Sequence, residues 1–398
     1  MAELNGRAYP MGSVMEMIGF EIEATAKGAT STVPTIIGDP GIGKSASLKH
    51  LAEKLNLDSY IISLGALPME WFSGLPDFKT EAIDGDWHQE GKTEVRVTEW
   101  TMSDLVRSIN SRTEKALKDG KRGLMVLLDD VHLVEPIVQK YLFEFFQNKT
   151  LQNFKLHKDA HLVAAMNGKD SAGLEGFLSA VINRMAFYFA EFDKEFWYEN
   201  IGYTLHPYVA SFASGPNDRY FIGANATDEA SPSPRAWTEL SNMIPILEAT
   251  YREPTQLNPR LSMMAESRVG HEAAVEFMNH VKIFQKFDFE SILKERDPGF
   301  RVSDDISDQI LTAFIIRYIR SKEDAEYLKD ILNTNHQRRT FISILMNEFV
   351  TIYRNISDIQ DTKTKEGLVH LSNLLTSEDA IDSELVDIVM DSLLDIQA

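Results

Sequence analysis

Eight consecutive residues carry the clearest chemical signal in the sequence. They read Gly38-Asp39-Pro40-Gly41-Ile42-Gly43-Lys44-Ser45, a complete G-x-x-x-x-G-K-[ST] pattern, and Ala46 follows at the start of a helical stretch. The glycines let consecutive backbone N–H groups turn toward one anion, the Lys44 ammonium can reach the β- and γ-phosphates, and the Ser45 hydroxyl can ligand Mg²⁺. The dipole of the following helix adds positive potential there. We predict that residues 38–46 bind a nucleoside triphosphate.

Two carboxylates follow a second apolar run. Residues 124–128 predict a buried strand, and Asp129 and Asp130 come directly after it. Ligands of parallel α/β sheets bind beyond the carboxyl ends of the strands. Asp129 is therefore a candidate for holding Mg²⁺ through water, and Asp130 for polarising the water that attacks the γ-phosphate. Most enzymes of this kind carry Glu in the second position; Asp is one methylene shorter, which favours slow hydrolysis.

The surrounding pattern predicts a parallel α/β sheet with helices on both faces, because apolar runs of strand length alternate with helical stretches. The predicted strands are 33–37, 60–64, 123–128 and 161–166, and the predicted helices around them are 14–26 and 46–55. Beyond about Asp193 the pattern becomes mostly helical, with long apolar-periodic stretches at 306–319 and 339–353. A further amphipathic helix is predicted from Ile381 to Leu393.

Three more motifs follow in chain order. Residues 164–167 read A-A-M-N at a strand end, residues 180–185 read A-V-I-N-R-M, and residues 231–236 read S-P-S-P-R-A. With the loop and the carboxylates, these motifs resemble the AAA+ ATPases, and within them the MoxR-like group of bacteria and bacteriophages, which carries an insertion in helix 2. The resemblance covers about residues 1–290, and the Ser-Pro-Arg element is its most specific part.

The resemblance implies a role for each motif. Asn167 is expected as sensor 1 close to the γ-phosphate, Arg184 as an arginine finger that completes the site of a neighbouring subunit, and Arg235 as sensor 2 at the start of a lid helix. With Asp130, these form the expected catalytic set. The implied ligands are ATP and Mg²⁺, and the implied assembly is a homo-oligomeric ring of six subunits.

The resemblance also implies the domain organisation. The expected fold is a P-loop NTPase AAA+ core, a parallel sheet flanked by helices, followed by a mostly helical lid and a C-terminal helical region. We expect the nucleotide-binding subdomain at 1–195, with the helix-2 insertion at about 70–100, the lid at 196–300 and an acidic helical region at 301–398.

The insertion contains aromatic residues for which two interpretations stay open. Its position and length suit a β-hairpin toward the ring axis, as in the family, so that Trp71, Phe72 and Trp87 could grip a polypeptide. Packing of these aromatic side chains in a local core is an equally good explanation.

Composition limits the choice of partners. Sixty acidic and forty basic residues give a net charge of −20, which disfavours generic nucleic-acid binding without removing a local basic lining. The stretch 355–398 alone has ten acidic and two basic residues, most simply a solvated helical face. The absence of cysteine, of a secretory signal and of an apolar run of 18 residues or more predicts a cytoplasmic protein with no membrane partner, in the host cytoplasm if it is viral.

Three functions remain open from the sequence. The first is a motor that remodels a protein client, with a von Willebrand factor A type adapter as a possible partner. The second is a nucleic-acid motor or loader, or a restriction-type NTPase. The third is a nucleotide switch that hydrolyses slowly, which the short Asp130 side chain favours.

Overall fold

The structure, a computed structural model, describes residues 7–84, 92–168, 178–222 and 230–376. The chain divides into two compact units, Met1–Asp193 and Lys194–Ala398. The hypothesised insertion residue Trp87 and the predicted helix from Ile381 to Leu393 lie outside the described residues.

The first unit is built around a parallel sheet. In chain order its elements are β1 (Tyr9–Pro10), α1 (Met11–Ala26), β2 (Val33–Gly38), α2 (Lys44–Lys54), β3 (Asp58–Ser63), α3 (Glu70–Ser73), β4 (Pro76–Asp84), β5 (Lys92–Trp100), α4 (Asp104–Lys118), β6 (Leu124–Asp129), α5 (Gln139–Asn148), β7 (Thr150–Leu151), β8 (Phe154–Lys155), β9 (Ala160–Asn167), α6 (Ser179–Ile182) and β10 (Met185–Glu191). The sheet order is β1-β10-β2-β9-β6-β3, and all these pairs are parallel.

The central strands are buried on both faces, which explains their continuous apolar runs. On one face, Val126 and Leu128 of β6 pack in a core with Leu105 and Val106 of α4 and Phe145 of α5. Helices α1 and α2 lie against the sheet as well. Because all six strands are parallel, their carboxyl ends lie at one edge of the sheet, and the phosphate loop, Asp129, Asp130 and Asn167 lie at that edge.

The sequence interpretation missed the strand β10, although it identified β2, β3, β6 and β9, whose carboxyl ends carry the site. Residues 185–191 follow the N-R-M motif without a turn signal, and β10 pairs along β2 from Met185 opposite Val33 to Phe189 opposite Ile37. Its side chains are mostly half-buried, so the run lacks the continuous apolar character of β6.

Between α3 and α4, an antiparallel hairpin stands apart from the main sheet. It consists of β4 and β5, paired from Pro76 opposite Trp100 to Asp84 opposite Lys92. Phe72 lies before this hairpin and is fully buried in the core, with its ring 6.5 Å from that of Tyr141. The polypeptide-gripping interpretation is therefore wrong for Phe72, because a side chain with no exposed surface cannot contact a client. Trp71 is half-buried against the same core.

The second unit is helical in its described part. Its helices are α7 (Lys194–Ile201), α8 (Pro207–Ser214), α9 (Pro234–Thr250), α10 (Pro254–Val269), α11 (His271–Phe284), α12 (Phe289–Glu295), α13 (Ile306–Thr312), α14 (Lys322–Thr334), α15 (Arg339–Arg354) and α16 (Thr362–Thr376). The buried rings of Phe212, Trp237 and Phe277 meet at centroid distances of 5.2–5.7 Å.

One predicted helix of the second unit differs from the structure. The stretch 306–319 begins as α13, but a 3₁₀ turn over Ala313–Tyr318 replaces the rest of the predicted α-helix. The consecutive side chains of residues 313–316 are all buried there, so this segment is apolar around its whole circumference. Apolar content alone could not distinguish the two kinds of helix. Among the described residues, no helix is long and apolar enough to cross a membrane.

Candidate nucleotide-binding site

The phosphate loop connects the carboxyl end of β2 to the first turn of α2. Gly38 is the last residue of β2, and a Cβ atom there would lie 2.7 Å from the carbonyl oxygen of Ala190, so only glycine fits. Gly41 and Gly43 have φ values of 83° and 97°, a region that other residues rarely adopt. The side chain of Ile42 is buried and anchors the loop. The backbone thus follows the path that lets N–H groups of the loop converge on an anion.

The remaining residues of the loop are accessible. Asp39, Pro40 and Ala46 are exposed, and Ser45 is half-buried in the first turn of α2. Helix α2 begins with a left-handed Gly43 and without a side-chain cap. Its first N–H groups therefore face the loop, and this arrangement suits a phosphate.

Lys44 is nearly buried, and its ammonium group spans the site. Its Nζ atom donates to the carbonyl oxygens of Gly38 at 2.8 Å and Asp39 at 3.1 Å, and to Oδ1 of Asn167 at 3.1 Å. The contact with Asn167 follows from strand pairing, because Asn167 at the end of β9 lies opposite Gly38 at the end of β2. The structure thus brings the expected sensor 1 residue to the lysine of the loop.

The two carboxylates of β6 lie beside the loop at the same edge of the sheet. Ser45 Oγ donates to Asp129 Oδ2 at 3.0 Å, and the Asp130 N–H donates to Asp129 Oδ1 at 3.0 Å. A serine hydroxyl and a carboxylate in contact are the hard oxygen ligands that Mg²⁺ prefers.

Asp130 has an unusual backbone conformation. Its φ and ψ are 56° and 37°, the left-handed region that Asp tolerates better than most residues. Its Oδ2 accepts a long hydrogen bond of 3.4 Å from Ser63 Oγ at the end of β3. The sequence interpretation missed Ser63, whose only signal was its place near the end of the predicted strand 60–64. The pairing of β3 with β6, which brings Ser63 beside the carboxylates, is seen only in the structure.

The observed residues fit ATP and Mg²⁺. The loop amides and Lys44 would hold the phosphates, and Ser45 with Asp129 would hold Mg²⁺. The metal, once bound, supplies positive charge to the phosphate oxygens.

Arg184 lies at the opposite edge of the sheet from its own phosphate loop. It directly precedes β10, and its carbonyl accepts a hydrogen bond from the Val33 N–H at the amino end of β2. From Val33 to Gly38 the strand advances five residues, about 17 Å at ~3.3 Å per residue. The side chain is fixed locally: its guanidinium bonds to Gln147 Oε1 and the Ala180 carbonyl and lies over the Phe143 ring. Gln147 and Phe143 were not singled out from the sequence.

Arg235 belongs to the second unit. Ser233 caps α9 by accepting from the Ala236 N–H at 3.2 Å, and Pro234 occupies the first helical position, so the Ser-Pro-Arg motif starts a helix. Arg235 is exposed in its first turn. Its expected contact with phosphate remains a prediction.

A phosphate loop, two strand-end carboxylates and a strand-end asparagine on a parallel sheet flanked by helices define an ATPase with the AAA+ P-loop NTPase fold. Residues 35–185 match the family model of the AAA domain (dynein-related subfamily). This span runs from β2 to the first residue of β10 and contains all the motifs of the first unit. No curated protein matches the chain.

Solved structures show a distant likeness. The RuvB Holliday junction branch migration motor of Thermotoga maritima is 12% identical, covering 74% of this chain and 79% of that chain with a TM-score of 0.32. A proline-to-glycine mutant of the same RuvB is 13% identical, covering 71% and 75% with a TM-score of 0.34. Scores this low say nothing about what this chain acts on.

Proposed function

We propose that this ATPase is Mg²⁺-dependent and works as a ring of six copies, each of which completes its neighbour's site with Arg184. The position of Arg184 carries the proposal. A finger must approach the γ-phosphate, yet Arg184 lies one strand length from the loop of its own chain. Because β10 and β2 are parallel, Arg184 lies at the amino ends of these strands, whereas the phosphate loop follows the carboxyl end of β2. In this proposal Arg184 therefore acts on the site of a second copy.

The roles of the other residues follow the phosphate chemistry. Lys44 and the loop amides bind the β- and γ-phosphates, and Ser45 and Asp129 hold Mg²⁺. Asp130 accepts a proton from, or orients, the attacking water. Asn167 is the proposed sensor 1, and Arg235 is the proposed sensor 2.

We favour a protein client over a nucleic acid. The net charge of −20 opposes binding to a phosphate backbone. The β4–β5 hairpin between α3 and α4 and the Ser-Pro-Arg start of α9 support membership of the MoxR-like group, with its protein-remodelling role and von Willebrand factor A type adapters. A cytoplasmic location, in a bacterium or a bacteriophage-infected cell, belongs to the same proposal.

Mixed rings test the role of Arg184. Arg184→Ala and Lys44→Met chains are each expected to assemble into rings but to hydrolyse ATP poorly. The first variant lacks the finger, and the second lacks the lysine contact to the phosphates. In an equimolar random ring, about a quarter of the interfaces join an intact loop to an intact finger, because such interfaces are head-to-tail. We expect the mixture to regain a corresponding part of wild-type turnover.

Co-assembly is verified by native mass spectrometry before turnover is compared. If co-assembled rings regain nothing, or if Arg184→Ala alone hydrolyses ATP at the wild-type rate, Arg184 is not a finger. The client is sought with a hydrolysis-impaired Asp130→Asn chain as bait in its native cell extract. Stimulation of hydrolysis by DNA that weakens steeply with salt would instead favour a nucleic-acid motor.

A further inference from the structure

The guanidinium of Arg184 is held on three sides. Its Nε and Nη2 atoms donate to Gln147 Oε1 at 3.2 and 2.9 Å, and Nη1 donates to the Ala180 carbonyl at 2.9 Å. The carbon at its centre lies 4.3 Å from the centroid of the Phe143 ring. This cradle uses two side chains of α5 and one backbone carbonyl of α6.

Helix geometry places the two side-chain contacts correctly. Phe143 and Gln147 are four residues apart on α5, so they lie on one face, one turn above the other. At the other end of α5, Gln139 Oε1 accepts a hydrogen bond from the Leu178 N–H, just before α6. The two helices that hold Arg184 are thus joined to each other by a buried glutamine.

The cradle leaves part of the guanidinium for another ligand. An arginine side chain has five N–H groups, and the described residues bond three of them, through Nε, Nη1 and Nη2. One N–H of Nη1 and one of Nη2 remain, a pair suited to phosphate oxygens. A positive charge that is already held where negative charge develops in the transition state does not have to be reoriented during the reaction.

We propose that Gln147 is a positioning residue that fixes the orientation of the Arg184 finger. The proposal rests on the trans role of Arg184 proposed above. Gln147 is exposed and neutral, so it orients the guanidinium without cancelling its charge, as a carboxylate would. Phe143 supports the guanidinium from one face.

The test is Gln147→Met, which keeps the length of the side chain and a similar helix propensity but removes the acceptor oxygen. We expect kcat for ATP to fall about tenfold, with KM within about twofold of wild type, because the lost bonds act on transition-state charge in the neighbouring site. The thermal midpoint should stay unchanged, since Gln147 is on the surface. Lys140→Met, at an exposed position of the same helix, is the matched control and should leave kcat unchanged.

Two further measurements separate positioning from a merely structural effect. Mixing Gln147→Met with Lys44→Met chains should regain turnover, because the second chain supplies a well-oriented finger to the intact loop of the first. Adding Gln147→Met to Arg184→Ala should lower kcat no further, since the two residues act as one unit.

The outcomes distinguish this proposal from the function on which it depends. If Arg184→Ala lowers kcat but Gln147→Met does not, the positioning role is wrong and the finger stands. If Gln147→Met lowers kcat equally with and without Arg184, it acts by another route and the proposal is overturned. Wild-type turnover of Arg184→Ala would overturn both.

Discussion

Lys44 Nζ lies 3.1 Å from Asn167 Oδ1, which joins the phosphate loop to the end of the neighbouring strand. Both residues therefore border the place where a γ-phosphate would lie, but with different chemistry. The ammonium neutralises phosphate charge in every bound state, whereas a neutral amide adds only a directed hydrogen bond. Their substitutions should consequently separate binding from turnover.

We predict that Lys44→Met lowers ATP affinity at least about 100-fold, since charge-assisted hydrogen bonds contribute about 1.5–3 kcal/mol each. Asn167→Ala should change the ATP dissociation constant less than about threefold and lower kcat about 10- to 100-fold. Isothermal titration with ATP and Mg²⁺, and steady-state turnover, measure the two effects. Asn373→Ala, an exposed substitution in the second unit, is the control. An equal loss of affinity in both variants would contradict this division of roles.

Asp130→Asn should bind ATP as tightly as wild type and hydrolyse it at least about 100-fold more slowly, because Ser45 and Asp129 remain to hold Mg²⁺ while water activation is lost. Trapping of radiolabelled ATP on the variant would show the retained binding. Unchanged turnover would mean that another carboxylate, such as the exposed Glu135, activates the water.

Ser63→Ala should have a smaller effect on the same step. The bond from Ser63 Oγ to Asp130 is long at 3.4 Å, so it orients the carboxylate only weakly. We expect kcat to fall about two- to fivefold with KM unchanged. Ser59→Ala on the same strand is the matched control. A loss as large as that of Asp130→Asn would show that Ser63 takes part in the chemistry directly.

The sequence predicted those parts of the site that are encoded locally. A glycine-rich loop between an apolar run and a helix, and carboxylates after a buried strand, depend only on neighbouring residues, so Lys44 and Asp129 could be recognised. Ser63 and Gln147 could not, because a serine at the end of an edge strand and an exposed helical glutamine have no local signature. Their partners, Asp130 and Arg184, come close only through strand pairing and the packing of α5 on α6. The burial of Phe72 likewise depends on tertiary packing, which has no local signature in the sequence.

Stability of the first unit should fall in mild acid because of His161. This side chain is buried on β9, and its Nδ1 has no hydrogen-bond partner among the described residues. Burial first, and then the charge of Lys149, lower the pKa of His161 from 6.5 to about 4. Between these values the unfolded chain binds a proton that the folded chain does not. The free energy of unfolding therefore decreases as pH falls from about 6.5 to 4, by about 3 kcal/mol in all.

The measurement compares urea unfolding of wild type and His161→Leu at several pH values between 7 and 4. Other titrating groups are common to both proteins, so the difference isolates His161. The free energy of unfolding of wild type minus that of His161→Leu should be lower by about 3 kcal/mol at pH 4 than at pH 7. Parallel stability curves would show that His161 does not contribute to acid sensitivity.

The second unit contains a buried ion pair whose disruption should be costly. Arg317 and Glu348 are 6% and 2% exposed, with Nε of Arg317 2.8 Å from Oε2 of Glu348. Tyr198 donates to Glu348 and accepts from Arg317, and burial together with the Glu348 charge raises the pKa of Tyr198 well above its usual value. The guanidinium also donates to the carbonyls of Gly202 and Leu205. The partners of this charge thus come from two segments, residues 198–205 and helix α15.

Glu348→Gln keeps the size of the side chain but leaves the Arg317 charge uncompensated in a buried place. We expect a loss of about 3–5 kcal/mol in the free energy of unfolding, the usual consequence of removing one partner from a buried pair. Glu326→Gln is the matched control: Glu326 pairs with His370 on the surface and is 60% exposed, so its loss should lie within about 0.5 kcal/mol. Urea unfolding measures both. Similar small losses in the two variants would mean that water or a shifted Arg317 compensates for the missing carboxylate, and that the pair does not hold the helical unit together.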